Sequence, residues 1–149
     1  MNKWLRYFLI AVFIFGLILV RRFENDLFYD PFLAYFKGDF LHAQFPDVDF
    51  SLISIHIVFR YLINSILTLA IIGLLFMDKQ KVKFTAIVLL GFLVLLLPLY
   101  LYMIKTEFNI GVNIGFYIRR FLIQPMLLLI LIPAFYYQKF LTEQKSKTN

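Results

Sequence analysis

The sequence predicts an all-α integral membrane protein: a four-helix transmembrane bundle with a short interfacial helix in its first outer loop. Three observations lead there. The chain of 149 residues is 62% hydrophobic with a mean hydropathy of +0.81, whereas about half apolar residues is usual for a soluble domain. Its apolar residues fall into runs of roughly 18 or more, the length that crosses a ~30 Å hydrocarbon core as a helix. Charged residues are only 16% of the chain and lie mainly between those runs. One domain of 149 residues is expected.

The first span is expected over residues 4–20, with Lys3 and Arg6 before its core and Arg21-Arg22 after it. A signal peptide also opens with a basic residue and an apolar core. The long apolar run, the arginine pair and the lack of a small-x-small cleavage site favour an uncleaved anchor. The second span, residues 50–77, is interrupted by His56, Arg60 and Asn64. Asp78 to Lys83 reads as a hydrophilic hinge, and the third span, residues 84–104, carries Pro98 as a kink point. A polar link to Asn113 leads to the fourth span, residues 114–137, with Arg119, Arg120, Gln124, Pro125 and Pro133. The polar tail, residues 138–149, is expected to fray.

Orientation follows from the basic residues. With the amino terminus inside, Lys3, Arg6, Lys79, Lys81, Lys83, Lys139, Lys145 and Lys147 are cytoplasmic. Only Arg21, Arg22, Lys37 and Lys105 lie outside, so the positive-inside rule places both termini in the cytoplasm of a multi-pass protein. The net charge of +6 is thereby topological; the basic residues form no contiguous nucleic-acid patch. Membrane lipids are the expected partners.

Residues 21–49 are more than a linker. Together with Phe50 they hold nine Phe or Tyr residues, too many for a solvated loop. Asp30-Pro31 reads as a helix start, since Asp caps free amides and Pro fits the first helical position. Gly38 suits the stop. The short helix between them either lies among lipid headgroups, where aromatic rings are favoured, or packs on the bundle as a lid. Pro46-Asp47-Val48-Asp49 opens the second span.

The charges inside spans are the candidate functional residues. Arg60 lies 17 residues before Met77 and Arg120 lies 17 before Tyr137, each roughly 25 Å from the inner helix end at 1.5 Å per residue. Arg21, Arg22 and Lys105 leave their helices near the same height. His56, Arg60 and Asn64 share one helix face, and Asn113, Tyr117, Arg120 and Gln124 share another. Intramembrane charges are costly and usually paired, and Glu24, Asp26 and Asp30 are the available acids. The candidate set is therefore Arg21, Arg22, Arg60, Asn64, Arg119, Arg120 and Gln124. Two readings stay open: a structural network of buried pairs, or a cationic pocket for a lipid phosphate or carboxylate.

Catalysis has little to rest on. There is no cysteine, no Gly-rich phosphate loop and no HExxH. The serines near His56 (51, 54 and 65) show no orienting pattern. The two histidines, His42 and His56, are too few for a metal site, and no cofactor is implied.

Several motifs resemble a known family. Arg22-Phe23-Glu24, Leu27-Phe28-Tyr29-Asp30-Pro31 and Phe36-Lys37-Gly38-Asp39 are similar to the outer loop of the exosortase F system-associated membrane proteins of flavobacteria and their relatives. The similarity continues through Phe59-Arg60-Tyr61 and Asn64, and then Tyr117 to Pro125. It closes with Pro133-Ala134-Phe135-Tyr136-Tyr137-Gln138-Lys139. The resemblance implies a non-enzymatic accessory subunit of an exosortase-type sorting system, with an exosortase as partner. Exosortases use a cysteine nucleophile, which this chain lacks, so it is not the exosortase itself. The alternative is a small membrane protein that binds or processes an anionic lipid or lipid-linked substrate through its arginine layer.

Overall fold

A computed structural model describes residues 2–148. Among them the chain forms seven helices and no strand: α1 (Lys3–Arg22), α2 (Glu24–Leu27), α3 (Phe32–Lys37), α4 (Phe50–Phe76), α5 (Lys79–Lys105), α6 (Val112–Ile123) and α7 (Met126–Thr148). Helices α1, α4 and α5 are each long and apolar enough to span a membrane, and α6 with α7 makes a fourth, bent span. The chain is thus a multi-pass helical membrane protein.

Local chemistry sets the element boundaries. The Asp49 carboxylate accepts from the Leu52 amide at 3.1 Å and starts α4, satisfying one of the free amides of a helix start. Asp78 does the same for Gln80 at 2.8 Å. The turn between the second and third spans is therefore only Met77-Asp78, with Met77 left-handed at φ 52°. Lys79 to Lys83, expected as part of a hinge, form the first turns of α5 instead. Helix α5 continues through Pro98 to Lys105. The tail is also helical, as far as Thr148, where fraying was expected.

The largest departure from the expected spans is at Gln124-Pro125. A residue before proline is pushed out of the helical region by the proline ring, and Gln124 is extended, at φ −112° and ψ 146°. The fourth span bends there by 67°.

Helix α4 is central: α1, α5, α6 and α7 all pack on it, and α5 also contacts α6 and α7. The Tyr61 hydroxyl donates to the Leu89 carbonyl at 2.6 Å, joining α4 to α5. Helix α1 leans mainly on α4 and buries only Ile10. The outward faces of the long helices are apolar (Phe8, Phe15, Ile55, Leu95 and Leu129 among them), as lipid-facing surfaces are. Two layers define the bundle's ends. The loop side carries residues 23–49 and the α5–α6 link; the hinge side carries the Met77-Asp78 turn and the tail.

On the loop side, α3 is a lid. Phe32, Leu33 and Phe36 are buried, so the segment packs inward onto the bundle. Phe32 is completely enclosed, with its ring centroid 5.4 Å from Phe108, 5.5 Å from Phe45 and 6.4 Å from Tyr100. Phe108 reaches this cluster from a left-handed backbone, φ 58°. It lies so close to α6 that a Cβ on Gly115 would stand 2.6 Å from its ring. Only glycine admits that approach.

Candidate functional site

Beneath the lid lies a buried ion-pair network. Helix α1 ends with the Phe23 amide donating to the Leu19 carbonyl, and α2, which follows directly, presents Glu24 to Arg60. The Arg60 guanidinium donates to the Glu24 carboxylate through Nη2. Its Nη1 stands 3.7 Å from the Asp30 Oδ2. Asp30 is the hub. Its Oδ1 accepts from the Phe32 amide at 3.1 Å and so starts α3. Its Oδ2 accepts from Arg119 Nη2 at 2.6 Å. The carboxylate that bonds the first amide of the lid helix therefore also binds the lid to α4 and α6.

Both arginines are deeply buried, Arg60 at 3% and Arg119 at 7% exposure. Aromatic faces cover them: the Arg60 guanidinium carbon is 5.3 Å from the Phe28 ring centroid and that of Arg119 is 5.6 Å from Phe36. Two guanidinium groups against two carboxylates leave the cluster neutral. Neutrality is what a low-dielectric layer demands, because an isolated buried charge costs several kcal/mol.

The residue paired from the fourth span is Arg119. Arg120, placed at the depth of Arg60 by counting back from Tyr137, is exposed and meets only Gln124, Nε to Oε1 at 3.3 Å. Arg119, one residue before it, meets Arg60 through Asp30, so the fourth span does reach the layer of Arg60; the face that does so carries Arg119 and not Arg120. With α6 as a separate helix, its inward face is Gly115, Ile118, Arg119, Leu122 and Ile123. Asn113, Tyr117 and Arg120 point outward. Asp26 is likewise exposed and, among the described residues, makes no ion pair.

Asn64 has a role that spacing alone did not suggest. Its Nδ2 donates to the Ile123 carbonyl at 2.9 Å. That carbonyl ends α6, where the break at Gln124-Pro125 deprives it of an intrahelical donor. Asn64 thus fastens the bent span to α4 at its bend. Counting Asn64 as a partner for the last carbonyl before an X-Pro break would have found this link.

Among the described residues neither histidine makes an ion pair. His56 lies beside Phe28 and Tyr29, with ring centroids at 6.4 and 6.5 Å, and His42 is exposed in the loop. Ser54 donates to the Phe50 carbonyl of its own helix at 2.6 Å. Among the described residues no three His, Asp or Glu side chains come together as a metal site requires.

Beside the network runs an open groove of about 360 Å³. Ile14, Ile18 and Arg21 of α1 form one wall. Arg60, Asn64 and Ile71 of α4 contribute the floor, and the far wall is Gln124 with Leu129 and Ile132 beyond the bend. Arg21 and Arg22 are exposed and, among the described residues, neither has an acid within ion-pair distance. Of the seven candidates, then, Arg60, Asn64 and Arg119 form the buried layer. Arg21 and Gln124 join Arg60 and Asn64 along the groove, while Arg22 and Arg120 stay outside both.

No protein-family model matches this sequence, and comparison with curated proteins and with solved structures gives no match.

Proposed function

We propose that this protein is a non-enzymatic accessory membrane subunit of an exosortase-type protein-sorting system. The observation that carries the reading is the network of Arg60, Glu24, Asp30 and Arg119. It spends the buried charges of the bundle on one another and ties the aromatic lid to α4 and α6. A loop held this way is a rigid platform at one membrane face, suited to holding a partner in fixed register. All four residues fall in motifs that resemble the exosortase F system-associated proteins: Glu24 and Asp30 in the outer loop, Arg60 in Phe59-Arg60-Tyr61 and Arg119 in Tyr117 to Pro125. The membrane is the bacterial inner membrane. The platform faces the periplasm and both termini face the cytoplasm, supported by eight basic residues on the hinge side against four on the loop side.

Tagged protein isolated from its native membrane after mild crosslinking should carry an exosortase in near-stoichiometric amount. Crosslinked eluates without exosortase would remove the reading. Orientation is tested separately: reporter fusions after Lys83 and after Lys147 should report cytoplasm, and one near Gly38 the periplasm.

A further inference from the structure

The groove beside the network has an apolar length and a basic mouth. Arg60 and Ile71 are eleven residues apart on α4, roughly 16 Å along the axis, and both line it. From Arg21 to Ile14 on α1 is seven residues, roughly 10 Å. On α4 the groove runs from roughly 25 Å above the inner helix end at Arg60 to roughly 9 Å above it at Ile71, so it starts just inside the loop-side interface and passes the centre of a ~30 Å core by a few ångström. That span is of acyl-chain length.

At its loop-side end the groove meets a second cleft of about 370 Å³, lined by Ile18, Arg21, Arg22, Glu24, Asn25 and Lys37. Ile18 and Arg21 line both, so the two spaces adjoin at these side chains. The only acid in this cleft is Glu24, already engaged by Arg60. Arg21, Arg22 and Lys37 have no acid within ion-pair distance among the described residues. Three free cations thus surround the mouth of an apolar channel of acyl-chain length.

We propose that this composite site binds a phospholipid with an anionic headgroup. One acyl chain lies in the groove between α1 and α7, and the phosphate sits among Arg21, Arg22 and Lys37. Charge complementarity selects the headgroup, because guanidinium groups bind phosphate oxygens in bidentate fashion. Polarity selects the chain: the charged lining of the groove, Arg21 and Arg60, lies at its loop-side end, and Ile14, Ile71, Leu129 and Ile132 line the rest, the order of a headgroup above an acyl chain. The site uses none of the charges of the buried network except as a neutral floor. The proposal is independent of the sorting role, and its failure leaves that role standing.

The test is retention and thermal stabilisation of the full chain in detergent by phosphatidylglycerol and by phosphatidylcholine with identical acyl chains. The intact protein should prefer phosphatidylglycerol. Arg21→Gln should reduce that preference about fivefold, as expected for one basic residue at a membrane surface. Arg22→Gln or Lys37→Gln should reduce it in the same direction. Lys105→Gln, which removes a loop-side charge at the end of α5 (away from both clefts), should leave it intact. Ile18→Trp and Leu129→Trp, from opposite walls of the groove, should weaken both lipids. All these positions lie on exposed helix surface, Lys37 at the end of α3, and a circular-dichroism melt without lipid checks each fold. Equal binding of the two lipids by the intact protein would overturn the proposal. So would an Arg21→Gln protein as selective as Lys105→Gln, or a co-purifying helix that protects Ile18 and Leu129 while neither lipid binds.

Discussion

Beneath α3, Arg60, Arg119, Glu24 and Asp30 consume one another's charge, and Phe28 and Phe36 cover the two guanidinium groups. One helix away, Arg21 keeps its charge at the mouth of a groove whose walls, Ile18 and Leu129, stand open. The same residue type serves both places, and the difference is solvent. A guanidinium in the sealed layer has neither water nor lipid phosphate to turn to, so partners must come from the chain itself. At the interface, headgroups and water do that work and no internal acid is required. The sealed layer is where stability is concentrated; the open groove can exchange its occupant.

The strongest way to break this comparison is at the hub. Asp30→Asn leaves Arg119 buried without a carboxylate and weakens the start of α3, so unfolding in detergent should show a loss of about 3–5 kcal/mol. Combining it with Arg119→Gln restores neutrality, leaving Arg60 with Glu24, and should recover much of the loss. A double variant as unstable as the sum of the singles would mean that Arg119 and Asp30 do not act as a pair.

Next in size is Phe32→Ala, which empties the centre of the aromatic cluster and should cost about 3 kcal/mol. The related Phe32→Cys should react slowly with an impermeant thiol reagent, while Leu41→Cys, on exposed loop, reacts fast. The native chain has no cysteine to interfere. Equal rates would turn the lid into a solvated loop and erase the contrast between the two regions.

Asn64→Ala tests the link between them, since Asn64 touches both the groove and the bend. Removing its amide strands the Ile123 carbonyl, with an expected loss of about 1–3 kcal/mol. Arg120→Gln should change stability by no more than about 0.5 kcal/mol, as an exposed pair does. Comparable effects from Arg119→Gln and Arg120→Gln would contradict the inward and outward faces of α6.

The smallest effect lies on the hinge side. Hydrogen bonds from the Lys81 side chain and the Gln80 amide hold the Asp78 carboxyl below its ordinary value. A depressed folded value means stability that is present above the unfolded value, near 4, and is lost as pH falls through the folded one. An Asp78→Asn protein should therefore melt like the parent in acid, below that window. It should melt slightly earlier than the parent above pH 5. A difference between them that grows below pH 3 would reverse the assignment.

Much of the architecture was already written in the chain. Apolar runs fix where a ~30 Å hydrocarbon layer can be crossed, because backbone polar groups inside it must bond within a helix. Asp30-Pro31, Asp49 and Asp78 mark starts because capping is local chemistry. The inventory of arginines and acids for a buried layer could likewise be read from spacing on a straight helix, as with Arg60 on α4. What spacing could not give was the face that α6 turns inward. Pro125 pushes Gln124 out of the helical region and the span bends there by 67°, and the inward face of α6 carries Arg119 and not Arg120. The lid's choice between lipid and bundle also needed the tertiary structure, since an aromatic face suits both; the cavity offered to Phe32 by Tyr100 and Phe108, far along the chain, decided it. The sequence determined the solvent and the helices, because burial and capping act over a few residues. Which charges meet, and where a groove remains between α1 and α7, depended on how distant helices bend and pack, and only the folded structure sets that.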